Sequence, residues 1–495
     1  MDKLRNSLLP AALLPLAAVA SGEAPTPPNV VVIYVDDLGY ADVSAYPHAS
    51  ADVHTPHIDA IAENGVLMTK GYVTSPMCGP SRAALVTGRY QQRIGYELHW
   101  GPGAVARDPE VDFGLPAAEP TIAHHFQGLG YRTFAFGKWH LGNSEAQLPH
   151  NKGFDEYYGI IEPGNQLHLT QEHIDYGLTF WDDQVDAKSE EMFLTELYTD
   201  KAIDFVNRHK DDPFFMYLSY TAVHAPTDAA QRYHDQVADI EVSLPEEYQS
   251  NDPRYHVSAD QRRSLLAMLA ELDDNVGRFM TQLERHGLSD NTLLFFISDN
   301  GGKPGNNASY NLPLNGQKGQ LLEGGIHVPY LMQWPAQLPK GLVYDHPVLQ
   351  IDVLPTALAA AGGQAPEVTD GVNLLPHLQG KHTTKPHEAL FWRTGHNWAV
   401  QQDDWKLVHS ARDFFLKPKG EPALYYLGDD PSEQENLIQR FPERAETLQK
   451  LWDQWNQDNV TPLFGPPNLR PRYDMPHNLL DPAWRERWQN RPGQK

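Results

Sequence analysis

The sequence predicts an α/β protein, a mixed sheet flanked by helices with a smaller antiparallel-sheet subdomain behind it. Three observations carry this. Short apolar, β-branched runs such as "VVVIYV" and "TLLFFISD" end in carboxylates; longer segments of helical spacing lie between them; and from about residue 385 the chain turns to short, aromatic-rich, half-polar runs.

Residues 30–35 are apolar on both faces, as a strand covered from two sides must be, and they run into "DDLGY". A helix is expected near 117–129, a strand at "RTFAFG", a helix near 191–209 and a strand at "PFFMYLSY". A long helix over 259–286 then leads to the strand "TLLFFISD". Beyond 385, "ALFWRTGHNWAVQQDDWKLVHS" and "PALYYLGD" predict antiparallel strands, and "PERAETLQKLWDQWNQD" a helix. The expected boundaries are a signal peptide over 1–20, a catalytic domain over 28–382, a C-terminal subdomain over 383–464 and a proline-rich tail over 465–495.

The chain has 495 residues, enough for a large domain with a companion, and its 41% hydrophobic share fits a globular protein. A net charge of -25 excludes a broad nucleic-acid footprint, so any anionic ligand must meet basic residues gathered locally. Lys3 and Arg5 precede an apolar run that ends in Ala18-Val19-Ala20, the pattern of a secretory signal too short to span a membrane comfortably. Export to the periplasm or outside the cell, with no membrane span, is therefore expected. The single cysteine, Cys78, cannot make an internal disulfide, so it serves packing or chemistry.

The common phosphate-loop, dinucleotide, zinc-protease and serine-esterase signatures are absent. Cys78 instead opens "CGPSR", followed by Thr87-Gly88-Arg89. This stretch resembles the C-x-P-S-R signature of the type I, formylglycine-dependent sulfatases, and the wider sequence is similar to an exported carbohydrate sulfatase. The resemblance implies an alkaline-phosphatase-like fold and oxidation of Cys78 to formylglycine by a maturation enzyme. The hydrated aldehyde then serves as nucleophile, with Arg82 holding it and the sulfate. Further elements, among them "NKGFDEYYG", "ELDDNVGRF", "DGVNLLPHL" and "LYYLGDDPSEQENL", extend the resemblance over most of residues 29–455.

Asp36-Asp37 and Asp299-Asn300 each follow a buried strand; by themselves they read equally as strand-end turns or as oxygen donors for a hard divalent cation. The resemblance assigns all four to calcium, with residue 78 completing the site. In "FGKWHLG", Lys138 and His140 would share a face if the segment is extended. By the resemblance Lys138 binds sulfate, while His140 contacts the formylglycine and helps release sulfate. His224 in "YTAVHAP" lies beside the leaving group, and Lys318 in "NGQKGQLLEGGIHVP" neutralises a sulfate oxygen. His327 stands where that last element usually carries arginine, and a structural role is expected for it.

Substrate contacts are expected from Arg93, His99 and Trp100 after the signature, and from Gln166 and His168 in "GNQLHLT", since aromatic and histidine side chains in loops suit sugar rings. The expected substrate is a sulfated carbohydrate, such as carrageenan, ulvan or their oligosaccharides. Alternatives are an arylsulfatase, a phosphate or phosphonate monoester hydrolase of the same superfamily, or a non-catalytic carbohydrate-binding protein on this scaffold.

Overall fold

The structure, a computed structural model, describes residues 26–98, 105–106, 113–161, 193–412 and 416–465. Its centre is an eight-stranded sheet. In chain order the strands are β1 (Asn29–Val35), β2 (Val66–Met68), β3 (Arg132–Lys138), β4 (Glu156–Ile160), β5 (Phe214–Ser219), β6 (Thr292–Ser298), β7 (Tyr330–Gln333) and β8 (Leu342–Tyr344). Across the sheet they run β8-β2-β7-β6-β1-β5-β3-β4. β7 lies antiparallel to both of its neighbours, and every other adjacent pair is parallel.

β1 is fully buried and divides its side chains between two cores. Val30, Val32 and Tyr34 join one, while Val31, Ile33 and Val35 join the other. This alternation is the period-two pleat of a strand covered on both faces, and each fully buried aliphatic side chain contributes about 1.5–3 kcal/mol. The core with Val31 is closed by the long helix Ala259–Arg285, which is capped by Ser258 through the Gln261 backbone N–H at 3.2 Å. The opposite core extends into a four-stranded antiparallel sheet, β9 (Leu390–Thr394), β10 (Asn397–Gln402), β11 (Trp405–His409) and β12 (Ala423–Tyr426), and the helix Pro442–Asn456. No helix among the described residues is long and apolar enough to cross a membrane.

Two expectations are corrected here. The helix expected from 117 covers only Ile122–Gly128: Pro120 disfavours helix before it, and Thr121 sits extended as the cap, its backbone N–H donating to His124 Nδ1 at 3.1 Å. The extended segment expected through His140 stops at Lys138; His140 has φ 56° and its N–H donates to the Ile161 carbonyl. The signal segment, the tail beyond 465, His99, Trp100, Gln166 and His168 lie outside the described residues.

Candidate active site

The site forms at the carboxyl ends of β1, β3, β5 and β6, where a parallel sheet opens a crevice. β1 delivers Asp36 and Asp37, and β6 delivers Asp299 and Asn300; all four are fully buried. Asp37 takes a left-handed turn, φ 59°, which aspartate tolerates, and its N–H donates to Asp299 Oδ1 at 3.1 Å.

Between these strand ends lies the start of the helix Cys78–Thr87. Cys78 is its first residue, and Pro80 falls in the first turn, where no backbone N–H is needed. Arg82 follows one turn later on the same face. Gly88, φ 64°, ends the helix in the left-handed conformation that favours glycine. The helix is pinned to β1 by a buried triangle: Tyr34 Oη and Ser81 Oγ lie 2.9 Å apart and both reach Gln350 Oε1, at 2.8 and 2.9 Å.

Ligand atoms of Asp36, Asp37, Cys78 and His224 lie within 4.8 Å of one another. Lys138 Nζ donates to Asp36 Oδ2 at 2.5 Å, and Lys318 Nζ donates to Asp37 Oδ1 at 2.5 Å. Asn300 Nδ2 donates to the same Asp37 oxygen at 2.7 Å. Arg82 donates to Asp299 Oδ2 from Nε at 3.1 Å and Nη2 at 2.7 Å, and also to Ser219 Oγ. His140 reaches the same pocket from its turn: a Cβ on Gly79 would lie 3.4 Å from His140 Nε2 and 2.9 Å from Tyr96 Oη, so glycine leaves the ring room. The Nδ1–H of His224 donates to the Ala225 carbonyl at 2.6 Å, and its Nε2 lies 3.6 Å from Asp37 Oδ2.

Three buried oxygens, Asp36 Oδ1, Asp37 Oδ2 and Asn300 Oδ1, have no hydrogen-bond donor among the described residues. A buried acceptor left unmade costs about 1–3 kcal/mol, more for a charged one, so this set fits a hard cation with oxygen ligands. Burial alone would raise Asp36, yet Lys138, His224 and Arg82 together hold it well below the usual carboxylate range. Asp299 is pushed up to about 7 by burial and by the nearby Asp36 charge. Burial pushes the Cys78 thiol up to about 12, which keeps it protonated and a poor nucleophile as it stands.

Arg93 is drawn elsewhere. Its guanidinium pairs with Asp370 at 3.5 Å, donates to the Trp455 carbonyl at 3.2 Å and lies 5.4 Å from the Trp455 ring centroid, so it binds the signature segment to the C-terminal helix. Tyr34, Gln350, Ser219 and Tyr96 escaped the sequence reading. Of these only Tyr34 and Ser219 carried a signal, as polar side chains near the ends of strands that bear the site.

A cysteine helix start set among buried carboxylates and three cationic side chains, on an alkaline-phosphatase-like sheet, defines a hydrolase of anionic esters. The chain belongs to the sulfatase family, whose profile matches residues 28–363, and it is a sulfuric ester hydrolase. A second profile, N-sulphoglucosamine sulphohydrolase, C-terminal, matches residues 317–460. The chain is 30% identical over 522 residues to N-acetylgalactosamine-6-sulfatase of Sus scrofa, covering 95% of this chain and 92% of the relative. It is also 30% identical over 510 residues to arylsulfatase A of Bos taurus, covering 92% of this chain and 93% of the relative. Among solved structures, Ps i-CgsB in complex with k-i-k-neocarrahexaose superposes with a TM-score of 0.74 at 30% identity, covering 88% of this chain and 94% of that one.

Proposed function

We propose that the protein is an exported carbohydrate sulfatase that removes sulfate from a sulfated galactose-type saccharide, such as a carrageenan oligosaccharide, after Cys78 has been converted to formylglycine. The observation that carries this reading is the gathering of the Cys78, Asp36, Asp37 and His224 ligand atoms within 4.8 Å beside three undonated buried oxygens. The saccharide class is supported by a relative named N-acetylgalactosamine-6-sulfatase and by a neighbour solved in complex with k-i-k-neocarrahexaose.

Asp36, Asp37, Asp299 and Asn300, with residue 78, would hold calcium. Formylglycine and calcium together supply an activated oxygen nucleophile in place of the thiol. The chain's own side chains do the rest. Arg82, Lys138 and Lys318 present three positive charges to the sulfuryl oxygens; Arg82 and Lys138 are buried and the Lys318 side chain is 10% exposed, so little water screens them. Arg82 is oriented by Asp299 and Ser219, which hold its guanidinium beside the buried carboxylates. His140 accepts a proton beside residue 78. The Ala225 carbonyl fixes the His224 Nδ1–H, which makes Nε2 the atom that exchanges a proton at the departing oxygen; Lys318 shares that task.

The test is a panel of defined sulfated oligosaccharides and aryl sulfates, with product positions read by NMR, alongside mass spectrometry of the peptide bearing residue 78. Release of sulfate from a galactose-type ring, abolished in Cys78→Ala with saccharide binding retained, is the expected result. Faster turnover of phosphate or phosphonate monoesters, or unchanged turnover in Cys78→Ala, overturns it.

A further inference from the structure

The segment that carries Lys318 is held from the C-terminal side. The Leu321 N–H donates to Ser410 Oγ at 3.1 Å, Gln320 Nε2 to the Arg412 carbonyl at 2.9 Å, and the Glu323 N–H to Glu433 Oε2 at 2.8 Å. The same segment touches the signature, because the Gly319 N–H donates to the Pro76 carbonyl at 2.9 Å. At its end is a buried set of charges. Lys406 Nζ from β11 lies 2.7 Å from Glu323 Oε1 and 2.9 Å from Glu433 Oε1, and Tyr72 Oη donates to Glu323 Oε2 at 2.9 Å.

His327 closes this set. Its Nδ1 lies 3.0 Å from Glu323 Oε2 and its Nε2 lies 2.8 Å from the Thr69 carbonyl. Both partners are acceptors, so both ring nitrogens must carry hydrogen, and an imidazole with two N–H groups is a cation. Glu323 likewise meets only donors, which hold its carboxyl down to about 2, while burial pushes Glu433 up to about 7. Lys406 pairs with both Glu323 and Glu433, and the two His327 contacts tie Glu323 to the Thr69 carbonyl.

We infer that His327, donating from both ring nitrogens, is a positioning residue that ties the Lys318 segment to the Thr69 carbonyl and, through Glu323, to the C-terminal sheet. The inference rests on the proposed role of Lys318 for its catalytic consequence, but not for its structural one. An arginine there would offer donors to the same two acceptors. The groups that face His327 are Glu323 on its own segment, Tyr72 and Tyr40, whose rings lie 4.6 and 4.7 Å from its own, and, across Glu323, Lys406 and Glu433.

The experiment compares wild type, His327→Arg and His327→Gln in the full chain by hydrogen exchange over residues 315–327, corrected for intrinsic pH dependence, and by kcat on an aryl sulfate. At pH 7 His327→Gln is expected to exchange faster in that segment and to lose about ten- to a hundredfold in kcat, with His327→Arg restoring both. Equal exchange in all variants, or an arginine variant that behaves like the glutamine one, overturns the inference. Absent sulfatase activity with the exchange pattern intact would instead reject the proposed function alone.

Discussion

Arg82 has its side chain wholly out of solvent and donates twice to Asp299 Oδ2. Arg82→Lys cannot reproduce that fork, and a buried carboxylate missing one partner costs about 3–5 kcal/mol. The variant is expected to unfold at markedly lower denaturant and to lose turnover, read by urea titration and by sulfate release. The undonated oxygens of Asp36, Asp37 and Asn300 make a second prediction. Chelation should lower Tm and calcium should restore it, because a ligand bound only by the folded state stabilises that state; an unmoved Tm would remove the proposed cation. At this scale the acidic pairs were readable as polar residues ending apolar strands. The turn at His140 was not, because the Ile161 carbonyl that holds it belongs to a segment after another strand.

At the scale of elements, the helix Ala259–Arg285 carries a buried oddity. Both carboxyl oxygens of Glu271 are buried with no hydrogen-bond partner among the described residues. Burial, reinforced by Asp228 and Asp274 and opposed by Arg232, pushes it up to about 8, well above the ordinary glutamate range. The folded state therefore holds a proton that the unfolded chain releases, so stability falls as pH rises from about 4.5 to about 8 and levels off above that. Glu271→Gln should flatten that slope and gain on the order of 1–3 kcal/mol at pH 8, checked by urea unfolding at several pH values. The strands β1 and β6 were legible from continuous apolar runs, and the long helix from its spacing. β7 was not: its four residues lie between β2 and β6, and nothing local in "YLMQ" encodes an antiparallel direction. The helix at Ile122 was foreseen too long because apolar spacing was read past Pro120.

For the whole molecule, the C-terminal sheet is part of the same core as the main sheet. Trp392, Leu407 and Leu424 cluster with Val30 and Tyr72, and Trp392 Nε1 donates to the Val73 carbonyl at 2.7 Å. Arg393 donates to the buried Glu97 Oε2 at 3.0 and 2.6 Å. One cooperative unfolding transition is expected from residues 28–464 by calorimetry, and a chain cut after residue 382 should not fold. Two separated transitions would show the sheet to be an independent unit. The texture change near residue 385 revealed that sheet in the sequence, but its attachment was hidden, since it depends on pairs such as Glu97 with Arg393 that are remote along the chain.

The signature helix is sealed from end to end, with Cys78 only 2% exposed. A bulky thiol-directed reagent should leave the native protein unlabelled and mark it at once in denaturant. If Cys78 is remade as proposed, an enzyme would have to reach it before this helix packs, and protein already folded with its sulfur in place would stay as it is.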